Sequence, residues 1–144
     1  MSIKYVQWDD CYSVGIDLLD KQHKELFDFT NELYAGCRRG ETAARGHFID
    51  TLHATVDYVT VHFATEERMM EKIQYPDTAN HKREHTDFVK KVMESQKDLE
   101  EGKKGVAIKF VQFLKDWIVS HIAVCDKNMA EYYNRQSAAV KNNT

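Results

Sequence analysis

Residues 62–85 read HFATEERMMEKIQYPDTANHKREH, and the placing of polar and helix-breaking residues in this stretch decides the fold. His62 and Glu66 are four apart, as are His81 and His85. Residues four apart share one helix face, about 6 Å along the axis. Between the pairs, Gln74-Tyr75-Pro76 stops the first helix, because proline lacks the N–H and disfavours helical backbone before it. Proline also suits the first turn of the helix that follows. The stretch therefore predicts a helical hairpin with a polar pair on each arm close to the connection.

The apolar rhythm extends outward from this hairpin. Phe48, Leu52, Thr55 and Val59 lead into His62, Glu66, Met69 and Ile73 at alternating spacings of four and three, which predicts a helix over about 42–73. His81, His85, Phe88, Val92, Ser95 and Leu99 predict another over about 76–101. Leu19, His23, Leu26, Thr30, Leu33 and Cys37 mark an earlier helix over about 17–38, capped by Asp17 and closed at Arg38-Arg39-Gly40. After the Gly102-Lys103-Lys104-Gly105 turn, Ala107, Phe110, Leu114, Trp117 and His121 mark a fourth helix over about 106–123. Four seams and short loops predict an all-α fold, an antiparallel up-down-up-down four-helix bundle. Residues 1–16 have no period and form an extended N-terminal arm. Residues 124–144 form a short C-terminal helical extension, expected to fray after about Arg135. One domain is expected to span 1–144.

Composition narrows the function. A chain of 144 residues can bury one substantial core. Its net charge of -3 and lack of a basic stripe argue against nucleic acid as a partner. No stretch approaches the roughly 18 apolar residues of a membrane span, and MSIKYVQWDD has no apolar signal-peptide core. Cytoplasm is the expected location. Cys11, Cys37 and Cys125 are odd in number and lack CxxC spacing, which points to reduced thiols rather than a disulfide framework or zinc knuckle. Cys125 adjoins Asp126 but is not expected to be a ligand.

Chemistry enters through the polar seam residues. Helix seams favour Leu, Ile, Val and Phe, and an unpaired buried carboxylate costs several kcal/mol. A single core histidine commonly just finds a hydrogen-bond partner. Here His23, His62, His81, His85 and His121, with Glu66, occupy seams on all four helices. Antiparallel neighbours bring them to the same end of the bundle, which is economical only for a buried metal site. Imidazole and carboxylate without paired cysteines suit a first-row metal such as iron or manganese. Asp126 stands five residues past His121, so a straight helix would turn it about 140° away. The fourth helix must end, loosen or carry a π-bulge there. Five imidazoles exceed one ion's needs. Two six-coordinate ions offer about twelve positions; five histidines and two bridging carboxylates fill nine, and an oxo or hydroxo bridge two more. One vacancy remains, suited to a small diatomic ligand.

The pattern resembles the hemerythrin family, specifically its single-domain bacterial members. The matching segments are Asp20-Lys21-Gln22-His23, His62-Phe63-Ala64-Thr65-Glu66-Glu67, Tyr75-Pro76 with His81-Lys82-Arg83-Glu84-His85, and Trp117-Ile118-Val119-Ser120-His121 ahead of Asp126. Trp8 and Gly15-Ile16-Asp17 also look like the family's arm. The resemblance implies two iron ions with an oxo or hydroxo bridge, and reversible binding of dioxygen. It implies that His81, His85 and His121 hold one iron, that His23 and His62 hold the iron open to O2, and that Glu66 and Asp126 bridge both. Leu26, Phe63, Trp117, Ile118 and Ile122 lie within a turn of these positions and are expected to line an apolar O2 pocket. His47 and His53 are expected on the surface, and Glu67, rotated about 100° from Glu66, in solvent.

The reading that follows is an oxygen carrier, storage or delivery protein, not an enzyme, and a monomer. An oxygen-consuming protein or a signalling partner is the macromolecular contact it leaves open. The alternatives are an oxygen or nitric oxide sensing or scavenging module, and a di-iron oxidase or peroxidase. Ferritin-like oxidases use four carboxylates and paired Glu-x-x-His motifs, and this chain has no Glu-x-x-His.

Overall fold

The computed structural model describes residues 4–38 and 45–142, apart from the side chains of 45, 47 and 140–142. Helix α1 spans Asp17–Arg38, α2 Arg45–Ile73, α3 Thr78–Glu100 and α4 Val106–His121. A π turn, Ile122–Asp126, continues α4 directly into α5, Lys127–Asn142. Helix α1 packs on α2 and α4, and α3 packs on the same two, which makes a square of antiparallel neighbours. The expected close at Arg39-Gly40 and helix start at 42 lie outside the described residues, as does the His47 side chain.

Most seam positions are buried as their period requires, while Cys37, Ile73, Ala107 and Trp117 are only partly covered. Leu19, His23, Leu26, Thr30 and Leu33 are buried on α1, and Phe48, Leu52, Thr55, Val59, His62 and Glu66 on α2. All six expected positions of α3 are buried. At the end of α2, Met70 is fully buried and Met69 only partly, because α5 covers a second face of α2 there. The turn between α2 and α3 follows a left-handed residue, Gln74 at φ 52°. The Tyr75 N–H then reaches back to Met70 O at 3.0 Å, the six-to-one bond that closes a helix C-terminus. Helix α3 starts two residues later than expected, at Thr78 rather than Pro76.

The C-terminal expectation needs correction. The chain stays helical to Asn142 rather than fraying after Arg135. The π turn does not interrupt the rod, since the Lys127 N–H bonds Ile122 O five residues back. Helix α5 then buries Met129 and Ala130 completely, sets Tyr132 against Tyr75 at 5.3 Å between ring centroids, and reaches the arm through Asn134 to Gly15 O. Among its described residues, the arm has one 3-10 turn, Asp10–Tyr12, and is otherwise non-helical. Asn31 ties it down by accepting from the Val6 N–H at 2.9 Å and donating to Val6 O at 2.8 Å. Asp20 accepts from Ser13 Oγ and the Val14 N–H. Tyr5 stacks on Tyr34, and Trp8 and Tyr12 meet the edge of Phe27. The α2–α3 turn, α5 and the last residues of the arm thus lie at the end of the bundle that holds the buried polar side chains, while Tyr5 and Val6 reach along α1 to Tyr34 and Asn31.

Candidate metal centre

Four helices and the π turn deliver seven ionisable side chains to one place, all at most 3% exposed. His23 comes from the second turn of α1, His62 and Glu66 from late α2, His81 and His85 from early α3, and His121 from the last turn of α4. Asp126 arrives through the π turn. One i→i+5 turn accomplishes with five residues roughly what an α turn does with four. Its Oδ1 therefore sits 2.9 Å from His121 Nε2 instead of on the outer face.

The contacts converge. Glu66 Oε1 is 2.6 Å from His62 Nε2 and 3.6 Å from His23 Nε2, while Oε2 is 2.9 Å from His81 Nε2 and 3.3 Å from His85 Nε2. Asp126 spans the cluster the same way, Oδ2 at 3.0 Å from His23 and Oδ1 at 3.1 Å from His81. Two compact donor groups share the two carboxylates. One is His81, His85 and His121 with Glu66 and Asp126; the other is His23 and His62 with the same two carboxylates. A third, Glu84, His121 and Cys125, lies at the edge of the cluster. Within each group the donor atoms lie within 4.8 Å of one another.

Direction separates this cluster from an ordinary hydrogen-bond network. Both ring nitrogens of His23, both Asp126 oxygens, Glu66 Oε1 and His85 Nδ1 are buried without a hydrogen-bond partner. The inward-facing ones, His23 Nε2, Glu66 Oε1 and both Asp126 oxygens, have neighbours near enough but wrongly angled, as happens when donors point at a common centre rather than along N–H···O lines. His85 Nε2 and His121 Nε2 even face each other at 3.2 Å. Unpaired buried groups of this kind cost roughly 1–3 kcal/mol each, and a cation between them removes that cost. The residues fit a pair of metal ions.

Electrostatics agree. Burial alone would lower His23, but Asp126 and Glu66 beside it outweigh that and raise it to about 9. His81 is raised to about 10 by the same two carboxylates against its burial. Burial raises Glu66, yet His62, His23 and His81 hold it well below the usual carboxylate range. Asp126 is likewise lowered, by His121 and His23, against burial and the repulsion of Glu66.

The remaining expectations fall around this cluster. Leu26, Phe63, Ile118 and Ile122 are buried, while Trp117 is half-buried. Phe63 stacks on His85 at 3.7 Å and 6°, and Trp117 on His121 at 4.3 Å and 11°. The aromatic wall therefore lies against the three-histidine half. Phe63 meets His62 only at 5.9 Å. His53 is exposed and bonded to Gln96, and Glu67 is half-buried. Two polar residues outside the expected ligand set also touch it, and a third, Cys125, holds one of them. Gln22 Oε1 lies 2.7 Å from His62 Nδ1, and Glu84 lies 3.4 Å from His121 Nδ1 while accepting from Cys125. Gln22 and Glu84 sit inside the quoted motifs, but their partners are on other helices, and spacing along one helix carries no such signal.

The family model described as Hemerythrin HHE cation binding domain matches residues 14–133. The chain belongs to the hemerythrin family. It is similar to a bacteriohemerythrin of Stenotrophomonas maltophilia strain R551-3, 35% identical over 124 residues that cover 86% of this chain and 78% of the relative. A bacteriohemerythrin of Methylococcus capsulatus is 35% identical over 116 residues, 81% of this chain and 86% of that one. A crystal structure of wild-type hemerythrin superposes with a TM-score of 0.80 at 32% identity, covering 90% of this chain and 98% of that chain. Hemerythrins bind dioxygen at a di-iron centre, and the cluster here fits such a site. Among the described residues, no helix is long and apolar enough to cross a membrane.

Proposed function

We propose that this chain binds dioxygen reversibly at two iron ions and serves as an oxygen carrier, store or delivery protein rather than an enzyme. The observation that carries the reading is the pair of donor groups sharing Glu66 and Asp126. His81, His85 and His121 with both carboxylates would hold one ion, and His23 and His62 with the same carboxylates the other. The second set is one imidazole short, which leaves room for a small ligand on that side. Held there, two ferrous ions would supply the two electrons that O2 binding draws on and that return on release.

The chain's own residues do the rest. Gln22 accepts the Nδ1–H of His62, since an amide oxygen only accepts, and so turns Nε2 inward. Leu26, Ile118 and Ile122, with Phe63 and the half-buried Trp117 against the three-histidine half, would keep water from the centre, and water is what would convert a reversible ligand into a lost oxidant. The protein is proposed to act in the cytoplasm as a monomer and to exchange oxygen with a separate oxygen-consuming protein.

Metal analysis followed by anaerobic reduction and O2 titration, with optical and resonance Raman detection, tests this. The expected result is two irons per chain, one O2 taken up per chain, and release on purging. Native-affinity binding of a single zinc in cell-grown protein would overturn the reading. Irreversible consumption of O2 with turnover of a reductant would favour an oxidase or peroxidase instead.

A further inference from the structure

The outward-facing nitrogens of the cluster are supported unequally. Nδ1 of His23 and of His85 has no partner, and Nδ1 of His62 meets a neutral amide, Gln22. Among the described residues, only His121 of the cluster has a carboxylate at its outward nitrogen: Glu84 Oε1, 3.4 Å from Nδ1. The other oxygen of Glu84 accepts the S–H of Cys125. Glu84 stands on α3 beside His85, whereas His121 and Cys125 are four apart where α4 passes into the π turn. One carboxylate on α3 therefore grips both ends of the segment that precedes Asp126. Trp117 completes the grip by stacking on the His121 ring at 4.3 Å.

We infer that Glu84, held by Cys125, is a positioning residue for the metal centre: it takes the Nδ1–H of His121, presents Nε2 inward, and braces the π turn that aims Asp126. This rests on the reading of His121 as a metal ligand. A carboxylate only accepts, so both donors are assigned by chemistry. The two bonds need two accepting oxygens. A glutamine at 84 has one, so His121 and Cys125 could not both be served. Carboxylates behind a ligating imidazole fix its tautomer and strengthen it as a ligand, and their loss commonly weakens metal binding by about 10–100-fold.

The test uses the full chain loaded anaerobically with ferrous iron. The rate at which a strong chelator strips the iron is compared among the parent, Glu84→Gln, Cys125→Ala, Cys125→Ser and a surface control on the same helix, Glu94→Gln. The imidazole N–H protons of the ferrous protein, displaced by its paramagnetism, give a second readout. Glu84→Gln is expected to release iron at least about tenfold faster and to shift one N–H signal or speed its exchange with solvent. Cys125→Ala should fall between, Cys125→Ser should recover the parent rate, and Glu94→Gln should match it. Midpoints of thermal unfolding without metal should agree across the set, which separates positioning from folding. Parent-like iron release with unmoved N–H signals in both Glu84→Gln and Cys125→Ala would overturn the inference. A parent chain that takes up no iron would overturn the metal reading beneath it, and is recognised before any variant is compared.

Discussion

Glu66 lies within 4.0 Å of an imidazole nitrogen of every histidine in the cluster, from 2.6 Å at His62 to 4.0 Å at His121. No single histidine belongs to both of the donor groups that share Glu66 and Asp126. Glu66→Ala should therefore cost iron at both positions and leave well under one equivalent bound. His85→Ala and His23→Ala should each lower occupancy mainly in one half. Iron content per chain after identical reconstitution is the measurement, and full di-iron content in Glu66→Ala would refute the bridging role. Protonation gives a second expectation. His23 and His81 in the metal-free fold titrate at about 9 and about 10, above their ordinary 6.5. Their protonated forms stabilise the fold fully below about pH 6.5, and that contribution is lost as pH rises through 9 to 10. Metal uptake instead requires unprotonated nitrogens and improves with rising pH. Thermal midpoints of metal-free protein should fall between pH 6.5 and 10, while the gain on adding ferrous iron grows over the same interval. Parallel pH trends with and without metal would contradict this. Six of the seven converging residues were legible in the sequence as ionisable groups in a helix seam, which are costly unless something compensates them; Asp126, off the seam of a straight helix, was legible only through the resemblance and the π-bulge its spacing required. Gln22 and Glu84 were not. A polar residue beside a seam is ordinary surface until the fold shows which neighbour it faces.

At the scale of elements, the π turn is where local rules and the bundle meet. Spacing alone showed that five residues cannot bring Asp126 back to the face of His121 in a straight helix, and it named a π-bulge among the remedies. It did not show that the helix would resume and run on to Asn142, since the polar C-terminal residues look frayed until Met129 and Ala130 are seen buried. Because one π turn replaces one α turn, deleting an exposed residue within it, Val124 at 55% exposure, should give a continuous α-helix. Asp126 would then follow His121 by four and still face inward. The expected outcome is a folded protein whose thermal midpoint matches the parent within a few degrees and which retains metal. Loss of α5 docking, seen as a collapse of that midpoint, would show that the turn sets more than angle. Trp117 belongs to the neighbouring stretch of α4. Being half-buried, it should lose about 2–3 kcal/mol on Trp117→Ala, less than the roughly 3–5 of a fully enclosed ring. Autoxidation at equal iron occupancy should rise from parent to Trp117→Phe to Trp117→Ala. Unchanged rates alongside lowered stability would leave Trp117 as packing only.

Over the whole molecule, the α2–α3 turn, α5 and the last residues of the arm lie at the end that carries the cluster, while the opposite half of the bundle is filled by Leu33, Leu52, Val92, Leu99 and Phe110. The two halves should respond differently to chelation. Removing metal should lower the thermal midpoint of the whole chain, because binding to the native state alone adds stability. It should also raise hydrogen exchange most around residues 19–26, 59–66, 78–88 and 118–130. Uniform change along every helix would count against a site confined to one end. The helix order and the seams were readable because each period is long and unbroken. The pinning of the arm by Asn31 and Asp20 was not, since it depends on backbone groups with no periodic signature.

That donor set, drawn from residue 23 through residue 126, has a consequence for how the protein is made. Ions gripped between the four helices would act as a clip across more than two thirds of the chain, and clips that close long loops restrict the unfolded state most. No shorter piece contains both shared carboxylates and all five imidazoles. A chain still being synthesised therefore cannot complete either ion's shell until residue 126 has left the ribosome. Iron loading would be a late event that reports a finished fold, and prematurely ended chains would be left without the clip and open to degradation.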